Sequence, residues 1–257
     1  MSDHRSVCIV TGGGAGIGRA CVRRFADEGY GVLFGDVSEA DGAATLTETM
    51  SVDREVMFRA GDVSRDETCR EWADVAQKRW GRIDTLVANA GARVYGSILD
   101  ATDADWERIL AVNLKGVAQS CKAVLPTMIA QGSGSIVIIS SANALIGREE
   151  MPLYDATKAA VLSLVRSLAV AHGKDGIRVN AVCPGFTVTD FHERRATADG
   201  VSPEQLREQT KGYALLGRPA EPVEVASAVY FLSSAEASMI TGQSLMVDGG
   251  FSATGAR

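Results

Sequence analysis

The sequence predicts an α/β fold: one doubly wound parallel sheet of about seven strands, with helices on both faces. Three observations lead there. Short β-branched runs alternate with longer helical patterns, a rhythm that places helices between parallel strands. The first six runs are dominated by apolar residues, as strands covered on both faces must be. A glycine-rich turn, "TGGGAGIGRA" (11–20), joins the first run to the first helix. The 257 residues show no internal repeat, low-complexity tract or linker, so one domain over 1–257 is expected.

In chain order, "VCIVT" (7–11) reads as the first strand and "GRACVRRFADEG" (18–29) as the helix behind the glycine turn. "GVLFG" (31–35) and "VMFRA" (56–60) are the next strands, separated by the helical "SEADGAATLTETM" (38–50). "SRDETCREWADVAQKRW" (64–80) carries helical periodicity and leads to the strand "TLVAN" (85–89). One long helical stretch is expected near 103–131, before the strand "SIVIIS" (135–140). "YDATKAAVLSLVRSLAVAHG" (154–173) is helical, "IRVNAVC" (177–183) a strand, and "EPVEVASAVYFLSS" (221–234) a helix with Pro222 in its first turn. "SLMVD" (244–248) reads as the last strand. Residues 186–216 break the rhythm. They are long, polar and charged, as expected of a substrate lid or a mobile surface loop.

Composition narrows the function. Hydrophobic residues at 46% supply a sizeable core, and a net charge of −6 argues against nucleic acid or an anionic membrane as partner. Cys8, Cys21, Cys69, Cys121 and Cys183 are odd in number, far apart and set among apolar residues, so buried free thiols fit better than disulfides or a zinc site. No run approaches the roughly 20 apolar residues of a membrane span, and no apolar run follows a basic N-terminus; a cytoplasmic protein is expected. His4 reads as a tail residue, His172 as the last turn of a helix, and no histidine has metal-ligand spacing. A metal site and a Ser–His–Asp hydrolase are both disfavoured.

The glycine turn permits close backbone approach, and the helix behind it offers unpaired N–H groups and a positive dipole end to a pyrophosphate. Gly12, Gly14, Gly16 and Ile17 are its candidate contacts. Asp36 follows the second strand, 18 residues beyond Gly18. A carboxylate there accepts hydrogen bonds from adenosine ribose hydroxyls and repels a 2′-phosphate. Ala15 and Val37 supply no cation for such a phosphate, so NAD is expected over NADP. A plain loop or capping role is the alternative for Asp36. Further along, "LYDATKAAV" (153–161) sets Tyr154 and Lys158 four apart, on one helix face.

Taken together, these ordered motifs resemble the short-chain dehydrogenase/reductase family over essentially the whole chain. The family's glycine turn appears as Thr11 to Gly18, and its adenine-side Asp-Val as Asp62-Val63. Its N-N-A-G appears as Ala88-Asn89-Ala90-Gly91, with the first Asn replaced. Its helix asparagine matches Asn113, its strand-end serine Ser141, and its Y-x-A-S-K Tyr154 to Lys158 with Thr157 for Ser. Its P-G stretch matches Pro184-Gly185, with Thr189 beyond. The resemblance implies a Rossmann-type sheet, a catalytic set of Asn113, Ser141, Tyr154 and Lys158, and a homo-oligomer, usually a tetramer or dimer. It implies that Asn113 holds a water linking Lys158 to solvent. Without the family, a helix-interior hydrogen bond is the simpler reading of Asn113.

The chemistry is consistent with this set. Oxidising an alcohol needs a base for its proton. Lowering a phenol pKa from ~10 to ~7 costs about 4 kcal/mol. One cation at ~4 Å supplies about 4 kcal/mol at an effective dielectric of ~20, so Lys158 is expected to activate Tyr154. Ser141 would hold the substrate oxygen against Tyr154, and Lys158 would also donate to the nicotinamide ribose. Thr187 and Thr189 would bind the carboxamide, or simply lend polarity to a loop.

The leading expectation is an NAD-dependent oxidoreductase interconverting a secondary alcohol and its ketone. An NADPH-dependent reductase of 3-oxoacyl thioesters and an NAD-sensing protein without turnover are the alternatives. The substrate should lie among 93–98, 142–152 and 186–216. Arg93, Tyr95, Asn143 and Arg148 near Ser141 and Tyr154 favour a small polar substrate: a sugar, polyol or hydroxy acid.

Overall fold

Strand β1 (Val7–Thr11) shows why a continuous apolar run becomes a central strand. Its side chains alternate between two separate cores. Val7 and Ile9 pack with Trp72, Leu86, Ile136 and Val165 on one face. Cys8 and Val10 pack with Phe25, Phe34, Val182 and Val229 on the other. A strand covered twice has no polar face to keep, so the two-residue alternation of half-exposed sheets is missing from the sequence.

The computed structural model describes residues 5–51 and 54–253; His4 lies outside them. After β1 come α1 (Gly16–Asp27), β2 (Gly31–Asp36), α2 (Glu39–Thr49), β3 (Val56–Ala60), α3 (Asp66–Trp80) and β4 (Thr85–Ala88). The chain continues through α4 (Asp103–Leu110), a π-helical turn (Ala111–Gly116), α5 (Val117–Gln131), β5 (Gly134–Ile139), α6 (Pro152–His172) and β6 (Ile177–Pro184). It ends with α7 (Asp190–Ala198), α8 (Pro203–Thr210), α9 (Pro222–Ser233) and β7 (Ser244–Val247). All seven strands are parallel, in the order β3-β2-β1-β4-β5-β6-β7. The order reverses between β1 and β4, which opens a crevice at the carboxyl ends of those strands.

The expected strands are present to within a residue at each end. The long helix expected near 103–131 is interrupted by the π-helical turn, which carries Asn113. Residues 186–216 are not a simple loop. They contain α7 and α8, the second with a capping box between Ser202 and Gln205 and Pro203 at its start. Local capping chemistry thus starts α8 where overall polarity suggested irregular chain. The five cysteines are all free and buried, as expected. His172 closes α6 and meets Asp175 at 3.1 Å. No helix among the described residues is long and apolar enough to cross a membrane.

Candidate active site

The glycine turn is packed against itself. Gly16 opens α1 at φ +53°, and a Cβ on Gly18 would stand 1.9 Å from the Gly12 carbonyl oxygen, so both positions exclude a larger residue. Arg19 Nη2 and the Thr45 hydroxyl donate to the Gly14 carbonyl at 3.0 and 2.8 Å and brace the turn from behind. Asn89 braces it from the side, its amide donating to the Thr11 and Gly12 carbonyls at 3.1 and 2.8 Å. Ala90 N donates to the Thr11 hydroxyl at 3.0 Å.

Two carboxylates face this turn. Asp36, at the end of β2, accepts from Gly14 N and Ser38 N, each at 2.9 Å, while the neighbouring Val37 is exposed. Asp190, the first residue of α7, accepts from Gly16 N at 2.7 Å and from Arg19 Nη1 at 3.0 Å. An anion therefore already sits at the start of α1, where the amide and the helix dipole favour one. Bare backbone, an anion-accepting helix end and a ribose-side carboxylate form a cradle that fits a dinucleotide.

The remaining expected cofactor contacts lie along the same crevice. Asp62 caps its own turn through Ser64 N at 2.9 Å, and Val63 is buried beside it. Ile17 packs on the α1 side of the core. Gly91 lies close to both Asn113 Oδ1 and Lys158 Nζ. Pro184 ends β6, Gly185 N donates to the Val247 carbonyl at 3.0 Å, and the buried Thr187 hydroxyl donates to the Gly185 carbonyl at 3.2 Å. Thr189 packs against Gly16, with its hydroxyl 2.9 Å from His192 Nδ1.

Tyr154 sits in the first turn of α6, with Lys158 one turn on and Ser141 at the mouth of β5. Lys158 is buried, and its ammonium donates to the Ile139 carbonyl at 2.8 Å. Burial first, and Arg93 second, bring its pKa down to about 8. Asn113 holds the Ala92 backbone, accepting from its N–H at 2.7 Å and donating to its carbonyl at 3.0 Å; it also donates to Thr157 at 3.1 Å. Both ends of its side chain are thus taken within the protein.

Burial pushes the Tyr154 phenol pKa up, and Arg93, by charge and hydrogen bonding, and the Ser141 hydroxyl pull it back. The Lys158 ammonium lies 5.6 Å from the ring centroid of Tyr154 and donates to the Ile139 carbonyl.

The cleft in front of the phenol draws on three segments. Arg93 lies 4.8 Å above the Phe191 ring, and Arg195 lies 4.7 Å above the ring of Tyr95. Gly96 N donates to the Glu150 carbonyl at 2.9 Å, which ties the Arg93–Tyr95 loop to the Arg148 loop. Asn143 does not face the cleft freely, because its amide donates to Asp155 at 2.9 Å. The other Asp155 oxygen accepts from Arg148 N at 2.9 Å. His192 has its pKa lowered to about 4, by burial first and then by Arg93, Arg195 and Arg148, so it is neutral near pH 7. Sequence reasoning missed Arg19, Asp190, His192 and Arg195. Only Arg19, one residue past the last glycine of the turn, carried a local signal; the others reach the site through the path of α7.

Comparison with known proteins gives a consistent set. The family described as enoyl-(acyl carrier protein) reductase matches residues 12–252. An uncharacterized oxidoreductase of Thermotoga maritima is 37% identical, covering 98% of this chain and 100% of the relative. A cis-4-hydroxycyclohexanecarboxylate dehydrogenase of Sinomonas cyclohexanicum is 38% identical, covering 96% of each. The crystal structure of levodione reductase superposes with a TM-score of 0.89 at 34% identity, covering 98% of this chain and 99% of the other.

Proposed function

This chain belongs to the short-chain dehydrogenase/reductase family of oxidoreductases, and we propose that it interconverts a secondary alcohol and its ketone, with NAD as the dinucleotide and a small polar substrate: a sugar, polyol or hydroxy acid. The observation that carries the reading is Tyr154. It is a half-buried phenol at the crevice, with Ser141 and Arg93 acting on its proton and Lys158 one turn along the same helix. Such a phenol takes the alcohol proton in oxidation and returns it in reduction, and Ser141 holds the substrate oxygen against it. Bound nicotinamide dinucleotide would accept the hydride in oxidation and donate it in reduction.

This chain's residues would hold that dinucleotide along one line. Gly12, Gly14, Gly16 and Ile17 take the pyrophosphate, Asp36 the adenosine ribose, and Asp62 with Val63 the adenine. Asn89, Ala90 and Gly91 line the middle, and Lys158 takes the nicotinamide ribose. Pro184, Gly185, Thr187 and Thr189 take the carboxamide end. Asp36 supports NAD, because a carboxylate fixed on Gly14 N repels a 2′-phosphate. Residues 186–216 close over the substrate as a lid. The likeness to the cyclohexanecarboxylate dehydrogenase supports a hydroxy acid among the polar substrates. Family membership extends the reading to a cytoplasmic homo-oligomer, a tetramer, which light scattering checks.

A second reading, reduction of 3-oxoacyl thioesters with NADPH, is favoured by the acyl-carrier description of the matched family and opposed by Asp36. An NAD sensor without turnover is opposed by the presence of both Tyr154 and Lys158. Absorbance of the reduced nicotinamide, followed with NAD and NADP over a panel of alcohols, ketones and acyl thioesters, separates the three. Oxidation of a polar secondary alcohol with NAD, lost in Tyr154→Phe, is expected. Preference for NADPH and an acyl thioester would replace the reading.

A further inference from the structure

The cleft in front of Tyr154 holds an arrangement of charge that the proton chemistry does not require. Arg93, on the loop after β4, lies against the phenol and over the Phe191 ring. Arg195, on α7, lies over Tyr95. Arg148, on the loop after β5, completes the set, and all three act on the ring of His192 between them. Three guanidinium groups from three separate segments thus act on His192, and Arg93 among them also acts on the phenol.

Guanidinium groups gathered in this way repel one another, so an acidic chain would be expected to neutralise them from within. It does not. None of the three has a carboxylate oxygen within 4.0 Å among the described residues. The two acids of α7 are engaged elsewhere. Glu193 pairs with Arg207 at 3.3 Å, and Asp190 with Arg19 at 3.0 Å. Asp155 accepts from Asn143 and from the backbone N–H of Arg148, and it feels the Arg148 charge without pairing with the guanidinium. Even Arg194, next to Arg195, has a partner, Asp41, at 3.2 Å. His192, neutral near pH 7, adds a polar ring without adding charge. The Phe191 and Tyr95 rings support two of the guanidinium planes, and a planar fork supported in that way suits a planar anion such as a carboxylate.

We propose that the substrate is an organic anion, a hydroxy acid in one direction and its oxo acid in the other, whose carboxylate is bound by Arg93, Arg195 and Arg148 while its carbinol carbon faces Tyr154. The inference rests on the alcohol–ketone reading above and narrows its substrate class from polar to anionic. Arg93 touches both ends of such a molecule. Its charge favours the phenolate and attracts the carboxylate, which sets the acid group close to the reacting carbon. Arg195 rides on α7, so a bound carboxylate would also draw the lid segment onto the cleft.

The test compares matched pairs in the NAD-bound protein: hydroxy acids of increasing length against their methyl esters, and a saturated ring carboxylate against its carboxamide as non-reacting ligands. Kinetics should favour the acid by ten-fold or more in kcat/KM. Calorimetry should show the carboxylate binding at least ten-fold tighter than the amide, with the advantage shrinking as salt rises. Arg195→Leu should lower the acid-to-ester ratio several-fold through KM, and Arg195→Lys should recover part of it. Arg93→Leu should lower the same ratio and also move the rising limb of the oxidation pH profile to higher pH. Equal use of acid and ester, equal binding of carboxylate and amide, or the same loss on both partners in Arg195→Leu would overturn the proposal. Turnover of neutral alcohols that vanishes in Tyr154→Phe would then leave the alcohol–ketone reading standing. No nicotinamide reduction with any alcohol would defeat that reading, and the calorimetric comparison would still decide between anion and neutral ligand.

Discussion

The glycine-turn end of the crevice and the arginine cleft satisfy their charges in opposite ways. At the turn, both acids are bound to backbone amides: Asp36 to Gly14 and Ser38, Asp190 to Gly16, with Arg19 closing the set. In the cleft, Arg93, Arg148 and Arg195 have no acidic partner within 4.0 Å among the described residues. The turn is built from one β-α-β unit that also supplies Asp36, and Asp190 reaches it from α7, 174 residues beyond Gly16. The cleft is assembled from loops and a short helix that meet only in the folded chain. A site of the first kind is complete in itself, whereas one of the second kind is completed by what it binds.

The largest effect that sharpens this contrast is chemical. Tyr154→Phe should cut kcat by about 10³-fold or more, within the range of general acid–base catalysis, while NAD affinity by calorimetry changes little. Substantial residual activity would mean that the phenol is not the proton carrier. At the turn, Asp36→Ala should lower the NAD-to-NADP preference by roughly 100-fold in kcat/KM, since two ribose hydrogen bonds and one repulsion go together. Wild-type protein that already prefers NADP would contradict this.

A third measurement uses pH. The His192 pKa stands at about 4 in the fold, against 6.5 for the free ring, because of burial and then of Arg93, Arg195 and Arg148. A depressed histidine stays neutral in the native state while the unfolded chain takes up a proton. Stability should therefore fall as pH drops from about 6.5 to about 4, and level off below. The loss should be roughly 2 kcal/mol once solvent screening is allowed for, and urea titrations at several pH values should show it vanish in His192→Asn. An unchanged slope in that variant would place the acid sensitivity elsewhere.

The smallest effect tests the link between the two regions. Asp190 occupies the amide at the start of α1, so a pyrophosphate bound there, as proposed, would displace it. Asp190→Asn should tighten NAD binding by up to about ten-fold, the equivalent of one charge-assisted hydrogen bond. Weaker binding in that variant would mean that Asp190 supports the cofactor rather than competing with it.

The sequence by itself determined the parallel sheet, its seven strands and the crevice at their ends, because strand cores and tight βα turns are decided by residues close together along the chain. Thr11 to Gly18, Asp36, and the Tyr154–Lys158 pair on one helix face were legible for that reason. Tertiary structure alone decided the rest. The i,i+4 spacing brought Lys158 beside Tyr154, yet only the fold turned its ammonium to Ile139 and brought Arg93 to act on the phenol as well. Asn143 looked free in sequence and is held by Asp155. Residues 186–216 looked irregular because charge masks helical pattern in short segments. A capping box starts α8, and α7 carries Asp190 to the glycine turn and Arg195 to the cleft. Electrostatic partners of this kind lie up to 174 residues apart, and no local pattern encodes a contact whose geometry is set by the sheet between them.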